Sequence, residues 1–177
     1  MQPKPEDFST YYAETFKDHH VVDAYRYRPP YPDEVFTILA GLITDEPRTV
    51  LDVGAGSGDI ARRLVDFVER VDAVDFSQNM IEMGKQLPNG DHPHLHWIYG
   101  KVEEVPLSPP YALITAGSSI HWTEWGHSIP TLSCHAHLQR LPRADLSTDT
   151  AYALGCRPQG TSCAIFNASN PQVIKCA

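Results

Sequence analysis

A chain of 177 residues, 42% of them hydrophobic, has the length and apolar content for one domain with its own core. With 14 Lys+Arg against 22 Asp+Glu its net charge is −8, which argues against the phosphate backbone of a nucleic acid as partner. The longest apolar stretch, Val35 to Ile43, is broken by Thr37 and Gly41 and falls far short of a membrane span.

The opening Met1-Gln2-Pro3-Lys4-Pro5-Glu6-Asp7 is too polar for a signal peptide, so a cytoplasmic protein is expected. Asp33 is a candidate N-cap for a helix whose apolar face is Val35, Phe36, Ile38, Leu39 and Leu42. Val50 to Val53 reads as a first strand. Gly54-Ala55-Gly56-Ser57-Gly58 follows as a turn, and Asp59 to Glu69 as a helix with Ile60, Leu64, Val65 and Val68 inward. Val71 to Val74 is a second strand, and Ser77 caps a helix running to about Gln86. After the loop Pro88-Asn89-Gly90, Leu95 to Tyr99 is a third strand and Tyr111 to Thr115 a fourth. Strands alternating with helices predict an α/β, Rossmann-like three-layer sandwich, its mostly parallel sheet covered on both faces.

The chemistry is concentrated at the first strand–turn–helix. A helix N-terminus presents unpaired N–H groups and partial positive charge, and glycines let a ligand lie against the backbone. Asp75, at the end of the second strand, stands where a carboxylate accepts the hydroxyls of a ribose. The dinucleotide fingerprint G-x-G-x-x-G needs a third glycine where this chain has Asp59, whose carboxylate would face a pyrophosphate. No Gly-Lys-Ser/Thr follows, so a triphosphate loop is also disfavoured. S-adenosylmethionine, with an adenosine, a free carboxylate and no phosphate, fits better.

At these residues the sequence resembles the class I S-adenosylmethionine-dependent methyltransferases, in the small-molecule branch similar to the trans-aconitate group. Tyr25-Arg26-Tyr27-Arg28-Pro29-Pro30-Tyr31-Pro32 is similar to, and one residue shorter than, the "Y-x-x-x-R-P-x-Y-P" entry of that group. Val74 to Ile81 matches "V-D-x-S-x-x-M-I", and Gly100 to Pro106 resembles the "G-x-A-E-x-L-P" segment that walls the adenine. Ile114 to Trp122 is similar to a fourth strand ending in His-Trp. The resemblance covers residues 20 to about 125.

What the resemblance implies is specific. The cofactor is S-adenosylmethionine, held by Asp52, Gly54, Ala55, Gly56, Gly58, Asp75, Phe76, Met80, Lys101, Val102 and Ala116. Tyr31, His121 and Trp122 face the substrate, a small-molecule methyl acceptor, with a carboxylic acid among the candidates. No catalytic base is assigned and no metal is expected. Residues 1–32 form an N-terminal segment or lid, and 33–125 the cofactor-binding Rossmann-like half. Two residues depart from the pattern: Lys101 stands where relatives carry a small or acidic residue, and Ala112 replaces an Asp. The chain is expected to be a truncated or impaired form; a non-catalytic truncated or frameshifted product that does not fold fully is the alternative, and an NAD(P)-dependent oxidoreductase a distant one.

Beyond Trp125 the match stops. Cys134, Cys156, Cys163 and Cys176 all lie there, and the acidic balance of 1–125 (10 Lys+Arg against 20 Asp+Glu) gives way to four against two. Codons able to encode Gly126 to Leu146, read one nucleotide later, permit "GTVFPRFHAMLTSNGYLALI". That peptide has a helix, an Asn-Gly turn and an apolar strand of the kind the family carries. Residues 126–177 are therefore expected to be an out-of-frame or disordered tail, offering no strand before about Ala164 and leaving the C-terminal strands of the sheet missing or replaced. His127, Cys134, His135 and His137 do not have the spacing of a structural zinc set. His92, His94 and His96 alternate, and are expected to share one solvent-facing side.

Overall fold

The computed structural model describes residues 14–44, 46–119, 150–155, 162–167 and 170–175. Four parallel strands form its centre: β1 (Thr49–Val53), β2 (Arg70–Asp75), β3 (Leu95–Tyr99) and β4 (Leu113–Gly117). Their order is β3-β2-β1-β4, with Val50 opposite both Val71 and Leu113. β1 is buried along its whole length, as a central parallel strand covered on two sides must be.

Alternation along the strands sorts their side chains into two cores. Val50, Val71, Ala73, Leu95 and Leu113 pack on one face with Phe36 and Leu39 of α2 (Asp33–Leu42) and Ala61 and Leu64 of α3 (Ala61–Leu64). Leu51, Val53, Val74, Ile114 and Ala116 pack on the other with Val102, Val105 and Leu107. A third, smaller cluster joins Val22 of α1 (His19–Tyr25) to Met80 and Met83 of α4 (Gln78–Lys85). This last cluster fastens the N-terminal segment over the C-terminal ends of the strands. No helix among the described residues is long and apolar enough to cross a membrane.

Several elements differ in detail from expectation. Pro32, not Asp33, occupies the N-cap of α2; Asp33 and Glu34 instead place acid in the first turn, where the helix dipole favours it. The helix after the glycine turn is short, because Val65–Phe67 tightens into a 3-10 turn and Val68 is already extended (φ −139°, ψ 164°). The chain must reverse there, since Glu69 N–H donates to the Arg48 carbonyl at 2.9 Å as β2 starts. β4 begins at Leu113 rather than Tyr111. Pro109 and Pro110 bring no N–H to the ladder, and the Tyr111 hydroxyl instead donates to Asp72 Oδ2 at 2.6 Å. His92, His94 and His96 do not share a face. His94 Nδ1 lies 3.4 Å from the Val65 carbonyl on the helix side, while His96 Nδ1 lies 3.6 Å from Asp72 Oδ1 on the opposite side.

The tail also departs from expectation. β5 (Thr150–Gly155), β6 (Ser162–Asn167) and β7 (Asn170–Lys175) extend the sheet antiparallel, in the order β4-β5-β6-β7. A strand thus arises well before Ala164. Its register pairs Leu113 with Gly155 and Gly117 with Ala151, so it occupies the β4 edge that would otherwise present unpaired backbone groups. C-terminal strands are therefore present in the sheet.

Candidate functional site

The cleft lies at the C-terminal ends of β1, β2 and β4, the position at which open α/β sheets bind ligands. Its floor is the turn after β1, where Gly54, Gly56 and Gly58 all have positive φ (63°, 58° and 77°). Two of these glycines have different work. A Cβ on Gly56 would meet nothing within 4 Å, and Gly56 lines the cleft, so its bare backbone faces ligand space. A Cβ on Gly58 would come to 2.5 Å from Trp97 Cη2, so Gly58 serves packing between the turn and β3. Trp97 is fixed in turn by its indole N–H, which donates to the Gly90 carbonyl at 2.9 Å.

Asp75 joins the strand ends to this turn. Its Oδ2 accepts the Gly56 N–H and its Oδ1 the Ser77 N–H, each at 2.7 Å. Burial raises its pKa, and the two N–H donors pull it back down. Each oxygen keeps a further lone pair for a ligand hydroxyl. Phe76, Met80, Gly100, Lys101, Val102 and Glu103 continue the wall on this side, and the Lys101 ammonium lies 3.6 Å from Glu104. Gly100 N–H donates to the Asp75 carbonyl at 2.9 Å, tying this wall to the end of β2.

Asp52 lies deeper. It is 1% exposed, and its Oδ1 accepts the Thr115 hydroxyl at 2.7 Å across the β1–β4 pairing. Burial pushes its pKa up to about 7, against the lowering effect of that hydroxyl and of the Ala61 N–H, with Asp75 and Asp59 raising it further. Asp59 is on the cleft wall as well, paired to Arg62 at 2.9 Å. Asp59 thus brings a further carboxylate to the cleft wall, just ahead of α3.

The N-terminal segment roofs the cleft with Phe16, Tyr25, Arg28 and Tyr31. Phe16 meets Tyr25 edge-on with ring centroids 5.9 Å apart, and the Phe16 carbonyl accepts the Ser77 hydroxyl at 2.7 Å. Arg28 Nη1 donates to the Tyr25 hydroxyl at 3.0 Å, with its guanidinium 5.3 Å from that ring. Tyr25 and Tyr31 both have raised pKa values, chiefly from burial, with Arg28 lowering each. Arg63 of α3 holds this roof down: it stacks 3.8 Å over Phe36, donates to the Tyr31 carbonyl at 3.0 Å and pairs with Asp33.

The cleft thus brings together Asp52, Gly54, Ala55, Gly56, Asp75, Phe76, Met80, Lys101, Val102 and Tyr31 of the sequence-derived set. Gly58 lies under the turn against Trp97, and Ala116 is buried in the second core, so neither lines it. His121 and Trp122, like His127, Cys134, His135 and His137, fall outside the described residues. No cluster of three or more metal-ligating side chains occurs among the described residues. Residues not singled out for the site include Phe16, Ser57, Ile60, Glu103 and Gly117 to Ser119. Ser118, with φ +54°, has the left-handed backbone that steers the chain off β4 toward the turn, and Ser119 Oγ donates to the Val53 carbonyl. Among residues 117–119 the glycine signals close approach: a Cβ on Gly117 would come to 2.7 Å from Ile60 Cδ1 and 2.9 Å from the Tyr31 hydroxyl.

The residues present fit an adenosine-bearing ligand with a cationic end. The buried Asp75 offers hydroxyl acceptors, the Gly56 backbone faces open space, and carboxylates at 59 and 75 gather where a phosphate would be repelled. A model of the methyltransferase domain family matches residues 50–140, past the point where the resemblance read from the sequence ended. The chain is 35% identical over 86 residues to a malonyl-[acyl-carrier protein] O-methyltransferase of Halalkalibacterium halodurans, covering 45% of this chain and 31% of that protein. It is 40% identical over 64 residues to a 2-phytyl-1,4-naphtoquinone methyltransferase of Trichormus variabilis, covering 33% of this chain and 28% of that protein. A structure from Anaeromyxobacter dehalogenans assigned as a type II methyltransferase superposes with a TM-score of 0.51 at 29% identity, covering 60% of this chain and 43% of that one. The chain covers less than half the length of each of these proteins.

Proposed function

The chain belongs to the class I S-adenosylmethionine-dependent methyltransferases, and from that premise we propose that it binds this cofactor in the cleft and methylates a small carboxylic acid, as in the branch similar to the trans-aconitate group. Bound there, the cofactor supplies an electrophilic methyl group on a sulfonium whose leaving sulfide is neutral. The observation that carries the cofactor assignment is the Asp75 carboxylate, anchored by Gly56 and Ser77 N–H beside a glycine turn open to ligand. On this reading Asp75 holds the ribose, Phe76, Met80 and Val102 flank the adenine, and Lys101 stands beside it. Asp52 and the Gly54–Gly56 turn lie along the remainder of the cofactor.

Support for a carboxylate acceptor comes from the roof. Arg28 reaches the cleft between Tyr25 and Tyr31, and no carboxylate among the described residues pairs with it. A guanidinium in that setting suits an anionic acceptor. The H. halodurans relative is named as a malonyl-[acyl-carrier protein] O-methyltransferase. A carboxylate is already nucleophilic, so the protein has only to align it and keep the cleft dry. Tyr31, with His121 and Trp122 beyond the described residues, belongs to the acceptor side of this reading. The acidic cleft and net charge of −8 fit a small-molecule acceptor better than nucleic acid, and a cytoplasmic setting is proposed with it.

The test is Arg28→Gln assayed over a panel of small mono-, di- and tricarboxylic acids with their methyl esters as controls. KM for the methylated acid should rise at least tenfold, with kcat changed much less. Methylation of none of the acids, with activity on a neutral acceptor, would overturn the substrate class. We also propose that residues 126–177 replace the family's own C-terminal segment through a shift of reading frame, giving an impaired form. Genomic DNA across codon 126 tests this: absence of family-like sequence from both alternative frames would refute it.

A further inference from the structure

Resting on the cofactor reading above, we propose that Asp52 is a proton-linked sensor of the cofactor's cationic methionyl end, neutral in the empty cleft and ionised when that end binds. The argument begins with what surrounds the carboxylate. Asp52 is 1% exposed on β1 and lines the cleft. From β4 it receives the neutral hydroxyl of Thr115, and from the start of α3 the neutral N–H of Ala61. From β2 it faces Asp75, and from the turn ahead of α3 it faces Asp59, both carboxylates. Tyr31, from the segment before α2, is close enough to feel its charge. No cation among the described residues forms an ion pair with it: Arg62 is spent on Asp59, Arg63 on Asp33 and Lys101 on Glu104, while Arg28, in the roof, donates to the Tyr25 hydroxyl.

A buried carboxylate with two neutral donors and two acidic neighbours is costly to ionise. Its pKa of about 7 expresses that cost. A cofactor whose amino-acid end carries an ammonium and a sulfonium brings the missing positive charge into the cleft. Ionisation of Asp52 then becomes favourable, the carboxyl proton passes to solvent, and a charge-assisted contact replaces a neutral one. The binding step thus exchanges one proton for one cationic group, with no bond to carbon made or broken. Fragments that carry the adenosine but lack the cationic end do not trigger it.

The experiment is calorimetric titration of the full chain at pH 6.5, where an α-ammonium of pKa about 7.7–8.0 stays protonated. Titrations run in two buffers of different ionisation enthalpy, so the protons released per ligand can be counted. S-adenosylmethionine should release about half a proton or more per molecule bound, as expected of a group titrating at about 7. 5′-Methylthioadenosine, which keeps the adenosine and lacks the cationic end, should release none. Asp52→Asn should bind S-adenosylmethionine without proton release, and its affinity should lose the rise between pH 6 and 7.5 that the parent displays. Binding of S-adenosylmethionine without proton release by the parent chain overturns the inference while leaving the cofactor reading in place. So does equal release with 5′-methylthioadenosine, a comparison that needs no variant to fold. Binding of neither adenosine ligand overturns the cofactor reading, and the inference with it.

Discussion

Gly56 and Gly58 are two residues apart with the same backbone requirement, and alanine at the two positions should fail in different ways. Both have φ in the left-handed region, 58° and 77°, where an L side chain costs about 1–2 kcal/mol. At Gly56 the added methyl meets nothing within 4 Å, so the loss of stability should stop near that figure. At Gly58 it comes to 2.5 Å from Trp97 Cη2 and 3.3 Å from Arg62 Cγ. Trp97 cannot swing away without giving up its hydrogen bond to Gly90, and Gly84 packs against the same ring edge. Overpacking of this kind adds about 1–3 kcal/mol, bringing Gly58→Ala to about 2–5 kcal/mol in total. For a chain of this size each kcal/mol moves Tm by roughly 2–4 °C. Thermal and urea denaturation should therefore separate Gly56→Ala, a few degrees down, from Gly58→Ala, which loses about twice as much or more. Cofactor affinity should reverse the ranking. Gly56→Ala places a methyl against the ligand and should weaken S-adenosylmethionine at least tenfold in the still-folded protein. Equal destabilisation by the two substitutions, or unchanged affinity in Gly56→Ala, would refute the division of labour drawn from the turn.

Three further outcomes are expected. Asp75→Ala should weaken S-adenosylmethionine by about tenfold or more, because charge-assisted hydrogen bonds contribute about 1.5–3 kcal/mol each; equal affinities by calorimetry would remove Asp75 from the site. Without ligand, the raised pKa of Asp52 means that the native state binds the proton more tightly than the unfolded chain does. Its favourable contribution is complete below about pH 4 and is lost as pH rises toward about 7. Urea midpoints of Asp52→Asn should thus gain on the parent between pH 5 and pH 8, and parallel pH profiles would contradict the assignment. Tyr111→Phe leaves buried Asp72 without its 2.6 Å donor and should cost about 1–3 kcal/mol in urea unfolding with little change in cofactor affinity; an affinity loss larger than the stability loss would place Tyr111 nearer the site than the structure does.

The elements most legible in the sequence are those whose local chemistry and tertiary surroundings agree. β3 and the Ser77-capped α4 have strong local signals, and the bare backbone of the glycine turn follows from residue type. The start of β4 was obscured because Tyr111 is β-prone, yet its hydroxyl serves the Asp72 carboxylate and the prolines before it withhold ladder donors. The helix after the turn reads longer than it is, because Val65 and Val68 keep the apolar period while the chain has already tightened and turned. In the site, Asp52, Gly56 and Asp75 carry motif information. Phe16, Ser118 and Ser119 do not, since they reach the cleft through long-range packing and an unusual backbone angle rather than through any pattern of residue types. Lys101 reads as a departure from the family beside the adenine, and its partner Glu104, one turn on, accounts for how its charge is carried there. β5 is missed because a short run such as Thr150 to Gly155 becomes a strand only when an open edge is beside it.

The central claim is that this cleft is built for S-adenosylmethionine and not for a pyrophosphate-bearing nucleotide. Thermal denaturation of the 177-residue chain with S-adenosylhomocysteine, NAD or NADP, each at the same concentration, tests it directly, because a ligand that binds the native state raises Tm by mass action. The account predicts a rise of several degrees with S-adenosylhomocysteine and none with NAD or NADP. Stabilisation by NAD or NADP with none by S-adenosylhomocysteine would contradict it.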